Sequence, residues 1–271
     1  ARWFCPPARQ DDPDAPVPPG CVTLVGAGPG DPELLTLRAV KALRGARLVL
    51  YDHLVSKEVL RYVAEDADLI YVGKESSHHT LPQEAIIDLM VRLARSGRSL
   101  VRLKGGDGFI FGRGGEEAQA LAQAGIAFDV VPGITAAQGA GAYAGIPLTH
   151  RDHAATLVFA TGHLRGESDV ALDWELLARP RQTVVIYMGI GTLPIICAEL
   201  QRHGLPGDTP AALVEQATLP TQRCITGTLQ ELPALAQQHR VRPPALIVIG
   251  GVVALQPQLM QGMRSMAHWM D

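Results

Sequence analysis

The sequence predicts an α/β fold of two lobes, on three observations. From residue 21 onward, short β-rich runs alternate with amphipathic helical patterns, the signature of strands and helices layered together. Glycine-rich turns follow several of the strands, where open α/β sheets place their ligands. The length, 271 residues, suits one large two-lobed domain or two modest ones at ~100–200 residues per domain.

Residues 1–20 carry Pro6, Pro7, Pro13, Pro16, Pro18 and Pro19 with few large aliphatics. That composition cannot bury enough surface to fold alone, so the segment reads as a disordered tail. Strands are expected at 22–26, 46–52, 69–73, 99–105 and 128–133, with helices at 32–44, 56–64, 82–95 and 114–124. In 32–44, Asp31 is a natural N-cap, Pro32 sits at the tolerated first position, and Leu34, Leu37, Val40 and Leu43 share a face before Gly45. In 82–95, Ile86, Ile87, Met90 and Leu93 follow the three-to-four spacing and Gly97 closes the helix. The small-residue segment 133–147 reads as a tightly packed helix leading to a linker near 148–154. A second block has strands at 156–162, 183–189, 210–216 and 245–251 and helices near 191–203 and 230–239. The lobes are therefore expected to span 21–149 and 150–271.

Composition excludes several functions. A net charge of −3 argues against a protein held to nucleic acid by bulk charge, so an anionic ligand must meet a local cluster. The four cysteines, Cys5, Cys21, Cys197 and Cys224, contain no C-x-x-C pair. Their spacing suggests neither a zinc site nor a disulfide framework, and points to a reducing compartment. There is no apolar run of the ~18 residues a membrane span needs, and no basic-then-apolar leader. A cytoplasmic protein is expected.

Two loops could carry chemistry. Gly26-Ala27-Gly28-Pro29-Gly30-Asp31 opens a helix, and Asp52 ends the next strand, which invites a dinucleotide reading. Against it, Asp31 stands where a third glycine belongs and Pro29 removes an N–H that a phosphate would use. A tight turn with a helix cap accounts for the loop better than a dinucleotide site does. The stretch from Leu103 to Glu117 is more specific, with Gly105, Gly106, Asp107, Ile110 and an arginine, Arg113, between glycines. So many glycines are costly unless backbone must approach something closely.

VGAGPGDPELLTLRAVKAL, YDHLVS, VGKESSHHTLPQEAI, VRLKGGDGFIFGRGGEEAQAL, VPGITAAQGAGAYAGIPLTHRD, FATGH and PALIVIGGVV resemble the uroporphyrinogen-III C-methyltransferases of the tetrapyrrole methylase superfamily. The likeness runs in order from about residue 22 to residue 253. It implies two α/β lobes with S-adenosylmethionine in the cleft between them. It also implies methylation of uroporphyrinogen III at C2 and C7 to precorrin-2 by way of precorrin-1, with S-adenosylhomocysteine released. Precorrin-2 leads to siroheme, cobalamin or heme d1. The cofactor positions implied are Pro29, Gly105, Gly106, Asp107, Ile110, Thr135, Ala136, Met188, Ala217 and Ala245. Gly108 and Ala217 depart from the proline and glycine common in the family.

The resemblance also implies an acid–base pair, Asp52 and Lys74. Chemically, a methylated pyrrole must lose a proton to restore conjugation, which a carboxylate can accept. Asp52 also reads as a strand-end turn residue, and Lys74 as an anchor for a substrate carboxylate. Arg113 and Arg151 suit the eight carboxylates of uroporphyrinogen through arginine's planar fork, and Arg113 reads as an orienting charge rather than a base. His79 and His163, with His150 and His153, are further carboxylate donors or plain loop residues. Their scatter has no metal-ligand spacing, so no metal is expected. Partners implied are the tetrapyrrole and a second copy in a homodimer, with no nucleic acid or membrane. A single-function form is expected, the tail being too short for a further dehydrogenase–chelatase module. Three alternatives remain: a methyltransferase of a later precorrin, a sensor that binds S-adenosylmethionine without turnover, and a dinucleotide oxidoreductase.

Overall fold

The computed structural model describes residues 18–73, 82–163 and 172–263. Lys74, His79 and most of the expected tail lie outside the described residues. The chain divides into two compact units, one ending at Thr135 and the other beginning at Ala136. The division falls ahead of the expected boundary near residue 150 because the small-residue helix packs against the rest of the second unit. The Ala137 N–H donates to the Tyr187 hydroxyl at 3.1 Å, and Gly145 backs directly onto Met260 and Met263.

In the first unit, β1 (Val22–Gly26), β2 (Leu48–Tyr51), β3 (Asp68–Tyr71), β4 (Leu100–Lys104) and β5 (Phe128–Val131) form a parallel sheet ordered β3-β2-β4-β1-β5. Side chains alternate across it, as the two-residue period of a strand requires. Leu24, Leu48, Leu50 and Leu100 meet Ile86 and Met90 of α3 (Gln83–Arg95) and Leu121 of α4 (Gly114–Gln123). Val25, Val49, Val101 and Leu103 meet Leu43 of α1 (Leu37–Arg44) and Val59 of α2 (Lys57–Leu60) on the other face. The helices change faces between the β1–α1 and β4–α4 connections, making a switch point where β1 and β4 lie side by side.

The helix expected over 32–44 is two pieces. Asp31 caps only the short 3-10 turn Pro32–Leu34, accepting the Glu33 N–H at 2.8 Å. Leu35 and Thr36 are extended, and the Thr36 hydroxyl then accepts the Ala39 N–H at 3.1 Å to start α1. A threonine that caps well competes with helix continuation at its own position.

The second unit holds α5 (Ala136–Ala144), β6 (Thr156–Thr161), α6 (Trp174–Leu177), β7 (Gln182–Tyr187), α7 (Leu193–Arg202), β8 (Pro210–Glu215), β9 (Arg223–Thr228), α8 (Leu232–Gln238), β10 (Ala245–Ile249) and α9 (Gln256–Gly262). Its sheet runs β6-β7-β10-β8-β9; β6 and β7 are parallel and the other neighbours antiparallel. Ile186, Ile196, Leu200, Leu213 and Ile247 form the buried centre on the α7 and α8 side. The sequence pattern does not show β9, because RCITGT is a half-exposed edge strand without clean alternation. One cysteine departs from the expectation of unpaired thiols: Cys21 is disulfide-bonded, while Cys197 and Cys224 are free thiols. Spacing along a chain does not report which thiols meet in space.

Candidate functional site

At the switch point of the first unit the two glycine-rich loops are zipped together. The Gly28 N–H donates to Gly106 O at 3.1 Å, the Gly106 N–H returns to Gly28 O at 2.7 Å, and the Ala27 N–H donates to Lys104 O at 2.7 Å. This pairing explains why the loop around Pro29 departs from a dinucleotide fingerprint: its backbone serves the neighbouring loop. Gly133 closes the same corner, since a Cβ there would fall 2.3 Å from Gly106 O and 2.8 Å from the Gly26 carbonyl carbon. Gly105 is likewise shut in by Leu54.

Asp107 holds this corner together. Its Oδ1 accepts the Phe109 N–H at 2.8 Å and its Oδ2 the Gly133 N–H at 3.0 Å. One oxygen shapes the loop that carries Ile110, the other ties that loop to the end of β5. Each retains acceptor capacity for a hydroxyl or ammonium group.

Asp52 is the strand-end turn residue, and it also carries an ion pair. Its Oδ1 accepts the Leu54 N–H at 3.1 Å in a turn at the end of β2, and its Oδ2 meets Arg102 Nη2 at 3.3 Å. The Ser56 hydroxyl donates to Gly30 O at 2.9 Å, tying this turn to the Pro29 loop. Asp52 thus joins Pro29, Gly105, Gly106, Asp107 and Ile110 at the carboxyl ends of β1, β2 and β4.

Arg113 stands at the start of α4 with a left-handed backbone, φ 58°. Its fork grips Glu116, Nε to Oε1 at 3.0 Å and Nη2 to Oε2 at 2.6 Å. The hydrogen bond to Glu116 raises the guanidinium further above its ordinary range, and the bond to Arg113 lowers the Glu116 carboxyl. Arg113 is a fixed cation here, half-exposed and aimed by its neighbour. The sequence pattern did not single out Glu116, although its place one helical turn after an N-terminal arginine is the available signal.

Nor did it single out Arg102, Lys104 and Glu117. Arg102 and Lys104 lie on the same face of β4 as Leu100, among buried side chains, and meet Glu117 from α4 at 3.2 and 3.0 Å. Gln83 Nε2 donates to the same Glu117 Oε1 at 3.0 Å. Burial, and then the charge of Arg102, lower the Lys104 ammonium, while Glu117 acts to raise it. The signal was two cations in an otherwise apolar strand, LVRLK, which a period of two sends to one buried face.

In the second unit, Met188 follows β7, Ala217 follows β8 and Ala245 opens β10. Because β10 runs antiparallel to both neighbours, all three share one end of the sheet. His163, after β6, lies at that end too. Met188 is half-exposed at φ 53°, and Ala217 sits between Gln216 at φ 49° and Thr218 at φ 67°. With Phe111 at φ 52° and Arg113, five of the seven left-handed non-glycine residues among the described ones lie at or beside candidate positions, Arg181 and Arg240 being the other two; such backbone is associated with functional sites.

Arg151, His150 and His153 lie elsewhere. Arg151 O accepts from Arg181 Nη2 at 3.2 Å and the Ala155 N–H donates to Arg181 O, which puts this loop at the opposite end of the second sheet. The His150 and His153 rings are 5.0 Å apart there. Thr135 and Ala136 stand on either side of the division between units. Among the described residues no group of three or more His, Cys, Asp or Glu side chains could hold a metal ion.

Residues 21–233 match the family model of tetrapyrrole (corrin/porphyrin) methylases. The siroheme synthases of Nitrosomonas europaea and Thioalkalivibrio sulfidiphilus are 56% identical over 242 residues and 57% over 240, covering 89% of this chain and 51% and 49% of theirs. The chain thus spans about half the length of these curated relatives. Among solved structures, the uroporphyrin-III C-methyltransferase of Thermus thermophilus in complex with S-adenosylhomocysteine matches with a TM-score of 0.74 and 41% identity, over 86% of this chain and 93% of that one. A cobalt precorrin-4 methyltransferase has a TM-score of 0.75 at 27% identity, over 86% of this chain and 95% of that one. From the family match and the extent of these likenesses, the chain belongs to the tetrapyrrole (corrin/porphyrin) methylase family.

Proposed function

We propose that the chain transfers methyl groups from S-adenosylmethionine to C2 and C7 of uroporphyrinogen III, giving precorrin-2 by way of precorrin-1. The observation that carries the reading is the corner at the β1–β4 switch point. There Asp52, Asp107, Arg113 and the closed glycines converge at the sheet end that open α/β folds use for ligands. The similar Thermus thermophilus protein, named for this reaction and bound to S-adenosylhomocysteine, supports it.

The residues fit the cofactor. Gly105 and Gly106 present backbone that a Cβ at Gly105 would push against Leu54. The Asp107 oxygens retain capacity to accept from ribose hydroxyls or the amino group, and Ile110 offers apolar surface. When bound, S-adenosylmethionine supplies an electrophilic methyl on its sulfonium. Asp52 is the group to take the ring proton after a pyrrole carbon has been methylated, because a carboxylate fixed at the strand end needs no further activation. Arg113 is assigned a substrate carboxylate. Its charge is permanent and its fork pre-set by Glu116, so it orients the macrocycle rather than exchanging protons. Alignment of the two reactants, worth up to ~7–11 kcal/mol, is the main service asked of the protein. Lys74, outside the described residues, keeps its two sequence roles as acid–base partner or carboxylate anchor.

The test is an anaerobic assay with S-adenosylmethionine and uroporphyrinogen III, following methyl count by mass and the product's absorption. Two methyls are expected. The similarity to a cobalt precorrin-4 methyltransferase favours a second reading, methylation of a later precorrin. Cofactor binding without transfer to uroporphyrinogen III would select that reading or a binding-only role. The siroheme synthase relatives favour siroheme over cobalamin and heme d1 as the end use. A cytoplasmic homodimer completes the proposal, with light scattering of the purified protein as its check. Among the described residues no helix is long and apolar enough to cross a membrane.

A further inference from the structure

Three members of the charge cluster beneath the corner, Arg102, Lys104 and Glu117, have no part in the chemistry proposed above. Buried ion pairs contribute little net stability compared with well-packed apolar side chains, so three charged groups in one strand–helix contact call for another reason. Side-chain exposure grades along the cluster, from 0% at Glu117 and 3% at Arg102 to 19% at Asp52. The cluster therefore runs from the core to the candidate base.

We infer that Glu117 and Arg102 are a positioning pair for Asp52. The Glu117 carboxylate holds the Arg102 guanidinium, and that guanidinium holds the Asp52 carboxylate where it can accept the ring proton. The inference rests on the reading of Asp52 as that base. Three nitrogens of Arg102 are committed: Nε to Glu117 Oε1 at 3.2 Å, Nη1 to Leu103 O at 3.1 Å and Nη2 to Asp52 Oδ2 at 3.3 Å. A planar fork tied at three points cannot swing without losing bonds, so its orientation passes to Asp52. The other Asp52 oxygen is fixed by the Leu54 N–H, which leaves the carboxylate clamped between β4 and its own turn. Glu117 is the negative charge that lets two cations, Arg102 and Lys104, sit together on one buried face.

Glu117→Gln is the informative change. Glu117 Oε1 takes all three donors, while the buried Oε2 has no hydrogen-bond partner among the described residues. A glutamine can thus keep its carbonyl on the donors and put its amide where no donor opposes it, removing charge at constant shape. The expected result is a fall in kcat on the order of 10-fold or more, part of the range that proton transfer contributes. The KM for S-adenosylmethionine should stay within about twofold. Arg102→Lys, tested in parallel, keeps the charge but loses the fork and should lose kcat likewise. In an Asp52→Asn background Glu117→Gln should cost nothing more, because both changes act through one group. The same loss in both backgrounds would overturn the pair. The 13C carboxyl resonance of Asp52, assigned by its loss in Asp52→Asn, supplies a readout independent of turnover and should move in Glu117→Gln. A resonance that stays put refutes the pair whatever the activity. One that moves while turnover holds keeps the pair and removes Asp52 from the role of base.

Discussion

Arg113 and Asp107 separate by what their side chains hold. Among the described residues the Arg113 side chain is bonded to Glu116, an exposed partner on its own helix, so Arg113→Ala leaves the loop in place and removes a charge aimed at the substrate. Loss of such a preorganised donor costs roughly 100-fold or more in turnover, and cofactor affinity measured by calorimetry should be retained. Asp107 instead carries two backbone N–H groups. Asp107→Ala frees both and should cost about 1–3 kcal/mol of stability, with cofactor affinity falling before turnover at saturation does. Equal loss of cofactor in the two variants would show that this division of labour is wrong. Charge and geometry alone allow the distinction, and the sequence could not draw it: Asp107 reads there as a loop acid, with no sign that its partner is the N–H of Gly133.

At the scale of elements, the corner depends on backbones in contact. Gly133→Ala would drive a Cβ into Gly106 O and Gly26, backbone atoms of two other strand ends that cannot rotate away. Overpacking of this kind costs ~1–3 kcal/mol, and here it must also shift the cofactor loop. A lower melting temperature and weaker S-adenosylmethionine binding are expected together. Gly115→Ala, inside α4 with nothing within 4 Å of the new carbon, is the matched control. It should gain ~0.4–1 kcal/mol from the lost chain entropy of glycine and leave binding alone. The first strands and α3 were legible because alternation and the three-to-four spacing are local signals. The break at Leu35 and Thr36 was not, since a cap at Asp31 and a cap at Thr36 look alike until backbone angles decide. The edge strand β9 escaped for the opposite reason, its half-exposed face leaving no pattern to read. Arg102 and Lys104 were visible as an anomaly in β4, yet their partner Glu117 belongs to another element, and only the fold joins them.

Over the whole molecule, each unit has its own core and its own alkaline titration. Burial pushes the Cys197 thiol up to about 12 and the Cys224 thiol up to about 11, both in the second unit. A raised thiol pKa means that above pH 9 the unfolded chain loses protons the folded chain keeps, so stability falls as pH rises. By pH 11 the loss is about 2 kcal/mol for each cysteine. Lys104, in the first unit, has the opposite sign. Its amine is lowered from its ordinary 10.5 by burial, so between the lowered value and 10.5 the unfolded chain binds more protons, and stability rises with pH. Alkali should therefore weaken the second unit while relieving a cost in the first. Hydrogen exchange read by mass spectrometry between pH 8 and 11, corrected for intrinsic exchange rates, resolves the two. Protection of α7 and β9 should drop with pH in the wild type and hold in the variant carrying Cys197→Ala and Cys224→Ala. Lys104→Met should remove the alkaline gain around β4 and leave the second unit's slope untouched. A single slope shared by both units, moved equally by the cysteine and lysine variants, would mean that the two cores unfold as one.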